Sequence, residues 1–109
     1  MQKNVLDLKS PPRRIEISEL CIRDFCFEDI DTVTGIEKDS YPDPWSAKMF
    51  GRELKLNFSH FFVGTILSKI AVYAVFWQVV DESHLTNITV SKEYRRNGLG
   101  NKMLEYVID

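Results

Sequence analysis

Apolar and polar positions change period several times along this chain, and each change marks an element. Leu20, Ile22 and Asp24 alternate with Cys21, Arg23 and Phe25, which predicts a short strand. Phe27, Ile30, Val33 and Ile36 then recur every third residue, the spacing of one helix face. Glu28 and Asp29 fall in that helix's first turn, where negative charge suits the dipole. Tyr41-Pro42-Asp43-Pro44 breaks the chain, because proline disfavours helix in the residue before it. Ser46 is a suitable N-cap for a second helix, burying Met49, Phe50 and Leu54.

A meander follows. Phe61–Ile66 reads as a strand, Leu67-Ser68-Lys69 as a turn, and Ile70–Val80 as a longer strand, apolar on both faces and therefore central. Asp81-Glu82-Ser83 turns again into a strand at His84–Val90. Ser91–Asn97 is a turn, and a helix from about Gly98 aligns Leu99, Met103, Leu104, Val107 and Ile108. The sequence stops at Asp109 with no cap, glycine or proline behind this helix, so the chain is expected to be a fragment. Residues 1–18, with Pro11-Pro12-Arg13-Arg14, read as a flexible tail, and Arg13, Arg14, Glu16 and adjoining Glu19 as solvated charges. Residues 19–109 read as one partial domain. The order β-α-α-β-β-β-α predicts an α+β fold, a mixed α/β sandwich on a mostly antiparallel meander.

Composition narrows the function classes. With 109 residues, 44% hydrophobic and 28% charged, the chain fits one globular domain. Its formal net charge of −2 argues against non-specific nucleic-acid binding. The longest apolar run, Ile70–Trp77, falls well short of the ~20 residues that span a bilayer. The start lacks the apolar stretch of a signal peptide, so no membrane association and a cytoplasmic location are expected. Cys21 and Cys26 are too far apart along a strand to bridge, and are expected to be small buried thiols. With only His60 and His84 besides, no metal site is expected.

The chemistry concentrates in Arg95-Arg96-Asn97-Gly98-Leu99-Gly100, between a strand and a helix. Glycine permits close backbone approach, and the first helical N–H groups lack internal partners, so the turn suits an anion. Arg95 and Arg96 could add charge-assisted bonds to phosphate oxygens. A plain glycine turn beside solvated arginines would read the same way. Met103 stands where a dinucleotide fingerprint needs glycine or alanine, and Asn101 where a P-loop needs lysine.

Arg95-x-x-Gly98-x-Gly100 resembles the Arg/Gln-x-x-Gly-x-Gly/Ala signature of the GNAT N-acetyltransferases. Asn87-Ile88-Thr89-Val90 and Tyr94-Arg95-Arg96 are similar to that family's fourth strand and pyrophosphate loop. Pro44-Trp45-Ser46 and Glu82–Val90 resemble the RimI-type branch, which acetylates the N-terminal alanine of ribosomal proteins. Lys92, Thr89 and Ala71-Val72 depart from the proline, alanine and glycine usual there. The resemblance implies the N-terminal part of a GNAT fold and acetyl transfer from acetyl-coenzyme A to an amine. It assigns the cofactor to Ile88, Thr89, Val90, Arg95, Arg96, Asn97, Gly98, Leu99, Gly100 and Asn101. It assigns the acceptor, the N-terminus of a protein and, in the RimI-type branch, a ribosomal one, to Tyr41, Pro42 and Trp45.

The family's base, a carboxylate on a fifth strand, and its acid, a tyrosine, are expected beyond Asp109, so no catalytic residue is carried over. His84 could substitute as base near neutral pH, or simply pack or cap at a strand edge. Glu53 and Glu82 are expected on the solvated surface, and Tyr73, Phe76 and Trp77 in the core or a pocket wall. The alternative function is a non-catalytic half-domain that binds acetyl-coenzyme A or a partner. An open strand edge, with its unpaired N–H and C=O groups, is expected to favour self-association.

Overall fold

In the computed structural model, residues 16–108 are described. Most of the expected tail lies outside them. Ile17–Glu19 form one 3-10 turn, with the Glu19 carboxylate accepting the Glu16 N–H at 3.0 Å.

Four strands make one antiparallel sheet in the order of the chain: β1 (Cys21–Asp24), β2 (Ser59–Ile66), β3 (Lys69–Val79) and β4 (Glu82–Val90). Helices α1 (Ile30–Ser40) and α2 (Ala47–Glu53) connect β1 to β2, and α3 (Leu99–Ile108) follows β4. The α+β reading and its element order hold. β3 is central, as its unbroken apolar run requires, and 71–76 are all buried. Phe25, Ile30, Val33, Phe50, Phe61, Val63, Tyr73 and Val75 form the core under α1 and α2. Ile66, Val72, Ala74, Tyr94, Leu99 and Met103 form a second core under α3.

Several expectations fail for local reasons. Phe27 is 74% exposed, because Phe27–Asp29 is a 3-10 turn and the buried face begins only at Ile30. Met49 is exposed at the open side of α2, although Ser46 caps that helix as expected, its Oγ accepting the Met49 N–H at 3.2 Å. Cys21 and Cys26 are both exposed free thiols, since β1 is an edge strand and Cys26 opens the turn after it. Glu53 is buried, not solvated: it accepts from Ser59 Oγ and from the indole N–H of Trp77, which ties α2 to the sheet.

The second hairpin turn is Val80-Asp81, two residues earlier than the expected end, and Glu82 already pairs with Val79. Val80 sits at φ 54° in the left-handed region, which a β-branched residue adopts only under strain. It is 88% exposed, so its side chain packs little. Glycine is the residue that such a two-residue turn prefers at its first position. Val80→Gly is therefore expected to stabilise the fold by about 1 kcal/mol. Thermal unfolding checks this, and an unchanged or lower midpoint would show the turn to be unstrained.

Asp29 anchors the entry to α1. Its carboxylate accepts two bonds from Arg23, at 2.8 and 2.9 Å, and the Cys26 N–H at 2.9 Å. The Arg23 bonds, opposed by partial burial and aided by the Cys26 N–H, hold the Asp29 carboxyl below its ordinary range. A depressed folded-state pKa stabilises the fold above the unfolded value, and that contribution fades as pH falls through the folded one. Asp29→Asn is therefore expected to cost stability at about pH 6 and progressively less below about pH 4. Urea unfolding of both proteins across that window checks the sign. A gap that stays constant with pH would remove the ion pair from the account.

Candidate functional site

The loop after β4 is pinned at both ends before it turns. The Ser91 N–H donates to Ala71 O at 2.8 Å, a 3-10 turn spans Lys92–Tyr94, and Tyr94 is 1% exposed. Beyond it Arg96 stands at φ 69° and Gly98 at φ 78°, and α3 begins at Leu99. Left-handed residues in such a turn aim successive N–H groups into one concavity. Leu99 and Met103 are buried and fix the helix. The bond from Lys102 N–H to Gly98 O, at 3.1 Å, closes the first helical turn. The amides of Leu99, Gly100 and Asn101 therefore face out of the helix end. At Gly100 an added Cβ would stand 3.6 Å from Val90 Cγ2, an ordinary contact. The protein's own packing therefore does not require glycine there.

The two arginines differ. Arg95 donates from Nε to Val90 O at 3.0 Å and from Nη2 to Ser40 Oγ at 3.1 Å, bracing the loop against β4 and α1. Two donors of its guanidinium are engaged by protein, and Arg96 beyond it is exposed as well. The Asn97 side chain donates to Tyr94 O at 3.0 Å and Arg95 O at 3.2 Å, stiffening the turn from inside.

On the same strand lies a cleft of about 490 Å³. Tyr41, Pro42, Asp43 and Trp45 of the α1–α2 loop form one wall, so all three sequence-predicted acceptor residues come together. Leu85, Thr86, Asn87 and Ile88 form the other. Here β4 carries a bulge: Asn87 pairs with Val75 and Leu85 with Phe76, leaving Thr86 as the extra residue. A bulge bends the strand and leaves backbone groups unpaired, which is why bulges gather at active sites. The outer edge of β4 has no strand partner among the described residues.

Glu37 closes the cleft floor and was not legible as a site residue. It is 2% exposed, and its carboxylate accepts from Trp45 N–H at 3.1 Å, Asn87 Nδ2 at 3.1 Å and the Tyr73 hydroxyl. Burial, then the bond to Glu37, pushes the Tyr73 phenol well above its ordinary value, so it remains a donor. The available signal was position: Glu37 lies four residues after Val33 on the buried face of α1. Tyr73 and Phe76 are core, and Trp77 is half-buried with its N–H on Glu53. His84 is exposed, 3.0 Å from exposed Glu82, and is not among the cleft residues.

The model of the acetyltransferase (GNAT) family matches residues 30–109. An Escherichia coli (strain K12) ribosomal protein bS18-alanine N-acetyltransferase is 36% identical over 81 residues, covering 74% of this chain and 54% of its own length. A Bacillus subtilis (strain 168) relative, provisionally named for the same reaction, is 32% identical over 93 residues, covering 84% of this chain and 62% of its own. The crystal structure of the Escherichia coli ribosomal-protein-S18-alanine N-acetyltransferase superposes with a TM-score of 0.76 at 33% identity, over 83% of this chain and 57% of that one. The chain thus spans between 54% and 62% of the length of these curated relatives. Among the described residues, no helix is long and apolar enough to cross a membrane.

Proposed function

The chain belongs to the GNAT acetyltransferase family, and we propose that it binds acetyl-coenzyme A and presents it to the N-terminal amine of a protein. The observation that carries this reading is that one edge strand, β4, serves both halves: the acceptor cleft borders Leu85–Ile88 and the glycine turn follows Val90. The amides of Leu99, Gly100 and Asn101, with exposed Arg96, suit a pyrophosphate. The free edge at Ile88–Val90 suits a peptide-like arm that bonds as an added strand, a sequence-tolerant contact. The acetyl carbonyl then reaches the bulge. There the amine's lone pair attacks the carbonyl carbon, a backbone N–H of β4 meets the oxygen as it gains charge, and the carbon–sulfur bond breaks to release the thiolate. The attacking amine gives up a proton, and that step is assigned to no residue of 16–108.

The name of the Escherichia coli relative supports an alanine-starting ribosomal protein as acceptor, and the proposed compartment is the cytoplasm. The same free edge makes association of two copies through β4 part of the proposal. Calorimetric titration with acetyl-coenzyme A tests the first half, and mass spectrometry of an alanine-starting peptide incubated with both tests the second. Binding with transfer to the α-amine is expected of the whole enzyme. Binding without transfer favours the non-catalytic alternative, and no binding ends the reading.

A further inference from the structure

We infer that Glu37 is the positioning residue of the acceptor cleft, holding the α1–α2 loop at a fixed place over the β4 bulge. The inference rests on the acceptor reading of that cleft and assigns to it a determinant that neither the glycine turn nor the loop supplies. Tyr41 and Trp45 lie on a segment broken by two prolines, with no helix or strand of its own from Tyr41 to Ser46. Such a segment needs an external tether to hold an acceptor in reactive geometry. The tether is one carboxylate. Trp45 reaches it directly, N–H to Oε2 at 3.1 Å.

Tyr41 reaches it through a relay. Thr89 Oγ1 donates to Asn87 Oδ1 at 2.8 Å, and the Tyr41 hydroxyl is hydrogen-bonded to Thr89 Oγ1 at 2.8 Å and lies 3.4 Å from Ile88 O. Asn87 passes the polarity on, donating from Nδ2 to Glu37 Oε1 at 3.1 Å. Thr89 and Asn87 both donate along the path to the carboxylate, and aligned bonds polarise one another. The Tyr73 hydroxyl, from central β3, also donates to Oε1 and ties the carboxylate to the sheet interior. Asn87 adjoins bulged Thr86, so one group sets both walls of the cleft. Three donors from three segments hold the Glu37 carboxylate in place, and the role inferred for it is positioning.

A purely structural role would leave Glu37 no different from Glu53. Glu53 is also a buried helical carboxylate with two side-chain donors, but it lies outside the cleft. The test compares Glu37→Gln with Glu53→Gln in protein labelled with 5-fluorotryptophan, reading the Trp45 fluorine resonance and the affinity for an alanine-starting peptide. Glutamine at 37 keeps the shape but places an N–H against one of the donors. Glu37→Gln is expected to broaden or shift the Trp45 resonance and to weaken peptide binding about tenfold, leaving acetyl-coenzyme A affinity unchanged. Glu53→Gln is expected to lower the unfolding midpoint with the Trp45 resonance and peptide affinity unmoved. Tyr73→Phe, which frees Glu37 without altering the cleft wall, is expected to act like Glu37→Gln with a smaller effect and covers the case in which Glu37→Gln does not fold. An unmoved Trp45 resonance in a folded Glu37 or Tyr73 variant overturns the inference. So does a Glu53 variant with the same peptide defect. Failure of the wild-type protein to bind acetyl-coenzyme A or the peptide would instead count against the acetyltransferase reading, and the fluorine resonance still reports on the tether.

Discussion

Gly98→Val is expected to weaken acetyl-coenzyme A binding by about a hundredfold or more, close to 3 kcal/mol. At φ 78° Gly98 occupies the left-handed region, which costs an L-residue roughly 1–2 kcal/mol and a β-branched one more. The chain has two escapes, and both damage the site. Keeping the dihedral stores strain and puts a branched side chain beside the outward amides of Leu99 and Gly100. Relaxing it rotates the peptide between Gly98 and Leu99 and re-aims those amides away from one anion. The fold should survive, because buried Leu99, Met103 and Tyr94 hold the loop's flanks independently. Gly100→Ala is the matched control: its Cβ has room at 3.6 Å, so the fold is unaffected and any loss of affinity reports contact with ligand alone. Calorimetry on the two variants, with circular dichroism to confirm folding, decides the matter. Wild-type affinity in folded Gly98→Val would remove the phosphate-loop reading.

The sequence was most informative where one property repeats. The apolar run of β3 announced a central strand, the spacing of Leu99 and Met103 announced α3, and two prolines marked the loop that became a cleft wall. It was least informative where a residue's chemistry conflicts with its position. Glu37 and Glu53 are carboxylates on buried faces, and donors from Tyr73, Asn87 and Trp77 in distant strands, with Trp45 and Ser59 nearer by, make that burial tolerable. Those partners are fixed by strand register, which hydropathy does not encode. The Thr86 bulge is hidden for the same reason, since it exists only as a mismatch between β3 and β4. Cys21 and Cys26 erred in the opposite direction: a residue type that is usually buried stands at the sheet's edge. The bonds of Arg95 to Ser40 and to the Val90 carbonyl were hidden as well, because they join segments far apart in sequence or across the turn.

Trp45→Ala is expected to reduce acceptor-peptide affinity by about thirtyfold while leaving acetyl-coenzyme A affinity within about twofold. The indole has two jobs that the substitution series separates. One side packs on Phe50, centroids 5.2 Å apart and planes at 47°, beside the core under α1 and α2. Because Trp45 is only half-buried, its truncation should cost about 2 kcal/mol of stability, below the ~3–5 of a fully buried aromatic. The other side lines the cleft opposite the β4 bulge, where an aromatic wall supplies contact area at low entropic cost. Its main-chain N–H, the donor to Glu37, survives any side-chain change, so the loop keeps its tether in the variant. Trp45→Phe should restore most of the packing on Phe50 but only part of the wall, and so recover stability more fully than peptide affinity. Unfolding midpoints and two binding titrations measure all three quantities on the same preparations. A parallel loss of both affinities, tracking the loss of stability, would make Trp45 a core residue and move the acceptor away from this cleft. A selective loss of peptide binding, with the cofactor site intact, is what a cleft wall built on the α1–α2 loop requires.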